Sequence, residues 1–213
     1  MSEVYALAPT EVLDDRPFTN LVHTGQDLAA LTYALAMLRS VLQKSAQPSG
    51  QELKQQILFW PEADGRLHRL ILNDAQALRT MAHLVLVGFF GQRRRDVDAT
   101  VVDVIDTDLV DELRAHLDIL AYCSCALESG EYGNLVLFRR EEGKSHWATS
   151  ALHLRAVQTL SPKYYDSVRL HNGFVTGGLA AGNPPVLQRT KYYDYQGMLA
   201  WRGVRELDAS AVA

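Results

Sequence analysis

An arginine and a histidine two residues apart give the strongest chemical signal in this sequence. Arg169 and His171 alternate with Val168 and Leu170 in a segment of β-strand character, so both would lie on one face of a sheet. A guanidinium can bind a carboxylate or an enolate while an imidazole moves a proton. Cofactor-free oxygenases, isomerases and cyclases need this combination, so the pair predicts a catalytic site.

Other side chains could complete such a site. Tyr165 and Ser167 lie on the same predicted strand and would add hydrogen bonds to a substrate. Trp147 and Tyr122 are further candidates for substrate binding, although Trp147 has the helical spacing of a core residue.

A structural role is the alternative for the central pair. Arg169 could form an ion pair with an acid such as Asp166 or Glu131. His171 could cap the Asn-Gly turn that follows it. Both residues would then stabilise the fold without touching a substrate.

Two histidines on a predicted helix raise the question of a metal. His146 and His153 are seven residues apart, which separates them by about 10.5 Å along the helix axis. They cannot chelate one ion together. His153 alone could act as a catalytic proton carrier or as the axial ligand of haem iron, which makes haem the candidate cofactor. A surface or hydrogen-bonded histidine is the alternative.

The elements that must position these residues are clearest in the second half of the chain. Apolar periodicity and turn residues predict, in order, a strand, a helix, two strands of a hairpin, a helix and a strand: His83–Phe90, Thr107–Leu117, Ile119–Leu127, Asn134–Phe138, Ser145–Leu160 and Tyr164–Gly173. The order βαββαβ is that of a ferredoxin-like unit, a four-stranded sheet with two helices on one face. Val168 and Leu170 fit the helix side, so Arg169 and His171 would line the open face.

The first part of the chain has a similar but weaker pattern. Its predicted elements are a strand, a helix, a hairpin and a short helix: Ser2–Ala8, Gln26–Lys44, Gln56–Trp60 with Leu67–Leu72, and Asp74–Met81. A degenerate tandem duplication is one interpretation. We therefore divide the chain into an N-terminal α+β region (1–81), a ferredoxin-like domain (82–176) and a C-terminal loop and tail (177–213).

The second half resembles the dimeric α+β barrel superfamily in its layout. The resemblance covers about residues 83 to 175 and is carried by element order and by these residues: Gly130–Phe138, Trp147, His153, Leu160–Pro162, Tyr164–Tyr165 and Val168–Gly173. Antibiotic biosynthesis monooxygenase-like and chlorite dismutase-like proteins are members with similar layouts. The resemblance implies two sheets packed open face to open face, from a homodimer or from two repeats, around a cavity that binds a small molecule or haem.

Composition narrows the classes of function. The 213 residues include 21 Lys and Arg against 25 Asp and Glu, a net charge of -4 that argues against a nucleic-acid partner. No uncharged stretch is long enough to span a bilayer, and Met1–Thr10 lacks the features of a signal peptide, so we expect a cytoplasmic protein without a membrane partner.

Three functional hypotheses follow. The first is an enzyme, an oxygenase or a cyclase/isomerase, that acts on a small organic molecule in a sheet-lined cavity. The second is a haem protein with His153 as axial ligand. The third is a non-catalytic dimerisation or ligand-binding module. Motifs of hydrolases, metalloproteases, NTPases and dinucleotide-binding enzymes are absent from the sequence.

Overall fold

A computed structural model describes residues 3–45, 56–97, 100–127 and 129–208, with only the backbone for 100–107 and 125–126. The strands in this part of the chain are β1 (Val4–Ala6), β2 (Gln56–Pro61), β3 (Leu67–Leu72), β4 (His83–Arg93), β5 (Ile119–Ala126), β6 (Glu131–Phe138), β7 (Tyr165–Thr176), β8 (Val186–Asp194) and β9 (Trp201–Glu206). The α-helices are α1 (Leu21–Ser45), α2 (Ala75–Thr80), α3 (Thr100–Ala115), α4 (Glu141–Ala148), α5 (Ala151–Arg155) and α6 (Ser161–Tyr164).

The strands join in one mixed sheet of nine, in the order β1-β9-β8-β7-β4-β6-β5-β3-β2. Only β1 and β9 pair in parallel; the other neighbours are antiparallel. The predicted α+β class is confirmed. Strands from all three predicted segments contribute to this single sheet.

The second helix of the predicted βαββαβ unit has different bounds in the structure and is interrupted. The helix predicted over Ser145–Leu160 begins earlier, at Glu141, and is broken after Ala148. The break has a local cause, because the Ser150 hydroxyl accepts a hydrogen bond from the backbone N–H of His153 and so starts a new helix. A widened π-type turn and α6 then lead into β7.

The segment 177–213 is not a loop and tail, because it carries β8 and β9. Leu187 and Tyr192 on β8 are buried, and Gly203 and Arg205 on β9 face inwards. Polar residues between these positions obscure the alternation in the sequence.

Helix α1 covers the sheet face that was expected to be open. Leu84, Leu86 and Phe90 of β4 pack in one core cluster with α1, whereas Val85 packs with α3 and α4 on the other face. Gly88 brings the helix close, since a Cβ there would lie 2.9 Å from a methyl group of Leu31. Among the described residues this helix, and not a second sheet, lies over Arg169 and His171.

The N-terminal region does not form a second unit like the one at 83–176. Strand β1 lies at one edge of the sheet, whereas β2 and β3 lie at the opposite edge. The N-terminal region therefore has an element order similar to that of residues 83–176, but its strands do not pair in the same way. Within the described residues, no helix has both the length and the apolar character needed to cross a membrane.

Candidate active site between helix α1 and the sheet

Strand register places Ser167, Arg169 and His171 on the α1 face of the sheet. Gln92 of β4 lies between Glu131 of β6 and Ser167 of β7, and in the next row Phe90 lies beside Arg169. The period of two along each strand directs these side chains to the same side. The prediction that Arg169 and Ser167 share a face with His171 agrees with this register.

Arg169 is held between two carboxylates. Its Nε and Nη2 atoms donate to Asp27 of α1 over 2.7 and 2.9 Å, and its Nη1 and Nη2 atoms donate to Glu131 over 2.8 and 3.0 Å. The residue is only 2% exposed. The predicted ion pair of Arg169 with Glu131 is therefore present. Asp166, the other predicted partner, pairs with Arg94 instead, with 3.3 Å between its carboxylate oxygen and the Arg94 Nη1 atom.

His171 completes this network and is fully buried. Its Nε2 lies 2.8 Å from an Asp27 carboxylate oxygen, and its Nδ1 lies 2.8 Å from the Thr190 hydroxyl. An ionised Asp27 can only accept, so Nε2 carries a proton. Both ring nitrogens are engaged, and His171 does not cap a turn, because β7 continues to Thr176.

The network controls the protonation of its members. Burial would raise the pKa of Asp27, but hydrogen bonds from Arg169 and His171 outweigh it and lower that pKa below its usual value. Burial would likewise lower the pKa of Arg169, yet the two carboxylates raise it. Asp27 and Arg169 are therefore both charged at neutral pH.

Because the pKa of Asp27 is lowered in the folded protein, the free energy of unfolding should decrease in acid. The pKa of an aspartate in an unfolded chain is about 4, which is higher than the pKa of Asp27 in the folded protein. As the pH falls, the unfolded chain therefore binds the proton first. The contribution of Asp27 is complete above about pH 5 and is lost as the pH falls through its folded pKa. Urea unfolding of wild type and Asp27→Asn should show a constant difference at neutral pH that shrinks below about pH 4. A difference that persists unchanged in acid would contradict this assignment.

A cavity of about 270 Å³ that is lined mostly by polar residues, here called the Arg169 hollow, adjoins the network. It is lined by Asp15, Pro17, Phe18, His23, Gln92, Glu131, Asp166, Ser167, Arg169 and Gln196. Tyr165 does not line it: a bulge opposite Gln92 and Arg93 turns that ring to the other face, 5.2 Å from the ring of Phe89. Asp166 takes its place in the hollow.

The remaining predicted site residues lie on the opposite face of the sheet. Tyr122 and Trp147 belong to the core cluster under α3 and α4. The ring of His153 lies 5.3 Å from that of Trp147, and burial lowers the pKa of His153. The structure therefore does not bring these three residues together with Arg169.

Neither cavity in the described part of the chain provides a haem site beside His153, whose ring packs on Trp147. The Arg169 hollow and the cavity described next both lie on the other face of the sheet, so neither would place haem iron beside this imidazole.

A second cavity, of about 320 Å³, lies between α1 and strands β3 to β6 and is here called the α1 cavity. Its walls are mainly apolar, with polar residues at one end: Ala30, Leu31, Tyr33, Ala34, Glu62, Arg66, His68, Phe90, Cys123, Leu127, Gly133, Asn134 and Leu135. An apolar hollow with a few convergent polar groups is typical of a small-molecule site.

His68 and Glu62 form an acid–base pair at the polar end of this cavity. His68 is 4% exposed, and its Nε2 lies 2.7 Å from a Glu62 carboxylate oxygen that also accepts a 2.6 Å hydrogen bond from the Tyr33 hydroxyl. That bond, followed by the interaction with His68, lowers the pKa of Glu62. An ionised Glu62 can only accept, so Nε2 of His68 carries the proton and Nδ1 is the basic nitrogen. Nδ1 is buried and has no hydrogen-bond partner among the described residues.

The sequence analysis did not identify Asp27 and His68 as site residues, although the position of each in the sequence contains a signal. Asp27 is the one acid on a buried helix stripe that includes Leu31, Leu35 and Leu38. His68 has the core-facing parity of Leu70 in β3. A charged or polar residue at a position whose neighbours are buried predicts a specific partner.

In comparisons with known proteins, no protein-family model, curated protein or solved structure matches the chain. No group of three or more potential metal-ligating side chains converges in the described part of the chain. Function must therefore be inferred from the site itself.

Proposed function

We propose that this protein is an enzyme that moves a proton on a small, partly apolar organic substrate, of the isomerase or cyclase class. The observation that carries the proposal is His68, a buried imidazole at the wall of an apolar cavity whose tautomer is set by an ionised Glu62. A carboxylate behind an imidazole orients the ring and stabilises the imidazolium that forms when the other nitrogen takes a proton.

The chemistry uses only groups of this chain. The apolar body of the substrate packs against Leu31, Phe90 and Leu135, which line the cavity. The proposal requires that substrate binding uncover Nδ1 of His68, which is buried at the cavity wall. Nδ1 then removes a proton from the carbon beside a carbonyl, and the electron pair of the broken C–H bond forms an enolate. In an isomerisation, the imidazolium returns the proton to another atom of the enolate. In a cyclisation, the enolate carbon attacks a second carbonyl of the substrate, and the imidazolium gives its proton to the alkoxide that forms.

Arg169 and His171 take a supporting role in this proposal. Without a substrate, Asp27 and Glu131 already pair with Arg169, and Asp27 and Thr190 already bond to His171. Arg169 and His171 fix the part of α1 that carries Asp27 onto β7, and so they hold one wall of the α1 cavity. Oxygenase chemistry and a homodimeric assembly stay predictions from the sequence.

The resemblance to a ferredoxin-like unit also remains a proposal. It is supported by the antiparallel order β7-β4-β6-β5, which is that expected of a βαββαβ unit with a split βαβ connection. Measurement of the native mass would test the predicted dimer, and the barrel of two facing sheets depends on that result.

Proton exchange in heavy water tests the function without knowledge of the natural substrate. We expect the protein to exchange the protons beside the carbonyl of benzylacetone or acetophenone for deuterium, as followed by proton NMR. His68→Gln should slow this exchange by about 100-fold or more, because the variant lacks the basic nitrogen.

His83→Gln is the matched control, because this exposed histidine lies outside both cavities. Its exchange rate should equal that of wild type. Absence of exchange with either ketone would overturn the proposal, and binding without exchange would favour the ligand-binding module instead. Full exchange by His68→Gln would remove His68 from the mechanism.

A further inference from the structure

The α1 cavity and the Arg169 hollow lie on the same face of the sheet, beside α1, and are together called the trough. Along β6, Gly133 borders the α1 cavity and Glu131 borders the hollow. Along α1, Leu31 borders the cavity and His23 borders the hollow, with Asp27 one turn from each. Two residues of a strand span only about 7 Å, so the cavities are near neighbours.

Phe90 and the Arg169–Glu131 ion pair separate the two spaces. The Phe90 ring lines the α1 cavity, and the Arg169 guanidinium carbon lies 6.0 Å from the centre of that ring. Arg169 and Glu131 both line the hollow on the other side. A ligand that extended from the α1 cavity past Phe90 would meet this ion pair first.

The two carboxylates on Arg169 are held unequally. Asp27 is 1% exposed and accepts from both Arg169 and His171, so its removal would disrupt two partners. The Glu131 side chain is 12% exposed at the beginning of β6. Among the described residues, its only hydrogen bond besides those from Arg169 is a 3.3 Å bond from the Ser129 hydroxyl. Glu131 is thus the carboxylate that can swing out to solvent.

We propose that the ligand of this trough is a carboxylic acid with an apolar body, and that its carboxylate replaces Glu131 on Arg169. This inference rests on the proposed function, since the apolar body occupies the α1 cavity. Exchange of one carboxylate for another keeps the bidentate geometry and leaves no buried charge without a partner. Glu131 therefore acts as an internal competitor that occupies the anion site when no ligand is bound.

Calorimetry with phenylbutyrate and its neutral amide, phenylbutyramide, tests the assignment. We expect wild type to bind the acid more tightly than the amide, by less than the roughly tenfold gain that one charge-assisted interaction produces, because the acid must first displace Glu131. In Glu131→Gln the internal competitor loses its charge, so affinity for the acid should rise by about tenfold while affinity for the amide stays unchanged. Glu141→Gln, at a half-exposed acid on α4, should behave as wild type.

The outcomes separate this inference from the proposed function. Equal affinity for acid and amide, no binding of either probe, or an unchanged or lower affinity of Glu131→Gln for the acid would each overturn the assignment of Arg169 as the carboxylate site. Proton exchange on benzylacetone needs no carboxylate, so it would still occur if only this inference were wrong. Loss of that exchange, with acid-selective binding intact, would instead remove the catalytic proposal alone.

Discussion

Replacement of Arg169 by methionine is expected to lower the free energy of unfolding by about 3–5 kcal/mol at neutral pH. The substitution keeps much of the apolar stem but leaves the carboxylates of Asp27 and Glu131 without their shared cation. Asp27 is almost fully buried, so water cannot replace that cation, and the orphaned charge accounts for most of the cost. Urea denaturation gives the value.

Two comparisons show whether burial is the cause. Arg189→Met removes a half-exposed ion pair with Glu206 and should cost less than about 1 kcal/mol. Adding Asp27→Asn to Arg169→Met removes the orphaned charge and should recover part of the loss. Equal costs for the two arginine variants, or no recovery in the double variant, would contradict a buried charge network.

Arg205→Met should destabilise the protein by about 3 kcal/mol or more, because each buried acceptor left without a donor costs about 1–3 kcal/mol. Arg205 is fully buried in β9 and donates to main-chain oxygens of Ala8, Glu11 and Thr19 and, over 2.8 Å, to the Tyr192 hydroxyl. These bonds attach the segment before α1 to the sheet. Hydrogen exchange should therefore show early loss of protection in β1 and in the segment that follows it.

Arg202→Met provides the matched control on the same strand, since Arg202 is exposed. Its unfolding free energy should stay within about 0.5 kcal/mol of wild type. An Arg205→Met variant as stable as Arg202→Met would mean that the N-terminal segment does not depend on this cation.

The central strands could be predicted because their burial follows a simple period. The alternation in β7 correctly separated Arg169 and His171 from Leu170, and the apolar run of β4 marked a central strand. Local pattern is sufficient where polar and apolar residues alternate regularly, as in β7, or where a continuous apolar run marks a buried strand, as in β4. It failed for β9, where a core position is occupied by Arg205, and the segment was predicted to be tail.

The candidate site could be predicted only in part, because its partners are far apart in sequence. Asp27 and Arg169 are separated by 142 residues, and no local pattern specifies which buried acid meets which buried base. The prediction for the side chain of Tyr165 was wrong for a different reason. One bulged residue reverses the face of the sheet to which the next side chain points, and the neighbouring strand determines where that bulge lies.

The parallel pairing of β1 with β9 has a consequence for the order of events during folding. Val4 pairs with Arg202, so one edge of the sheet cannot form until nearly the whole described chain is available. Contacts between such distant residues must overcome the entropy of closing a very long loop before they contribute stability, which slows folding to about milliseconds or longer. During synthesis on a ribosome, the segment anchored by Arg205 would stay in solvent while the centre of the sheet assembles, and its docking would complete this edge of the sheet.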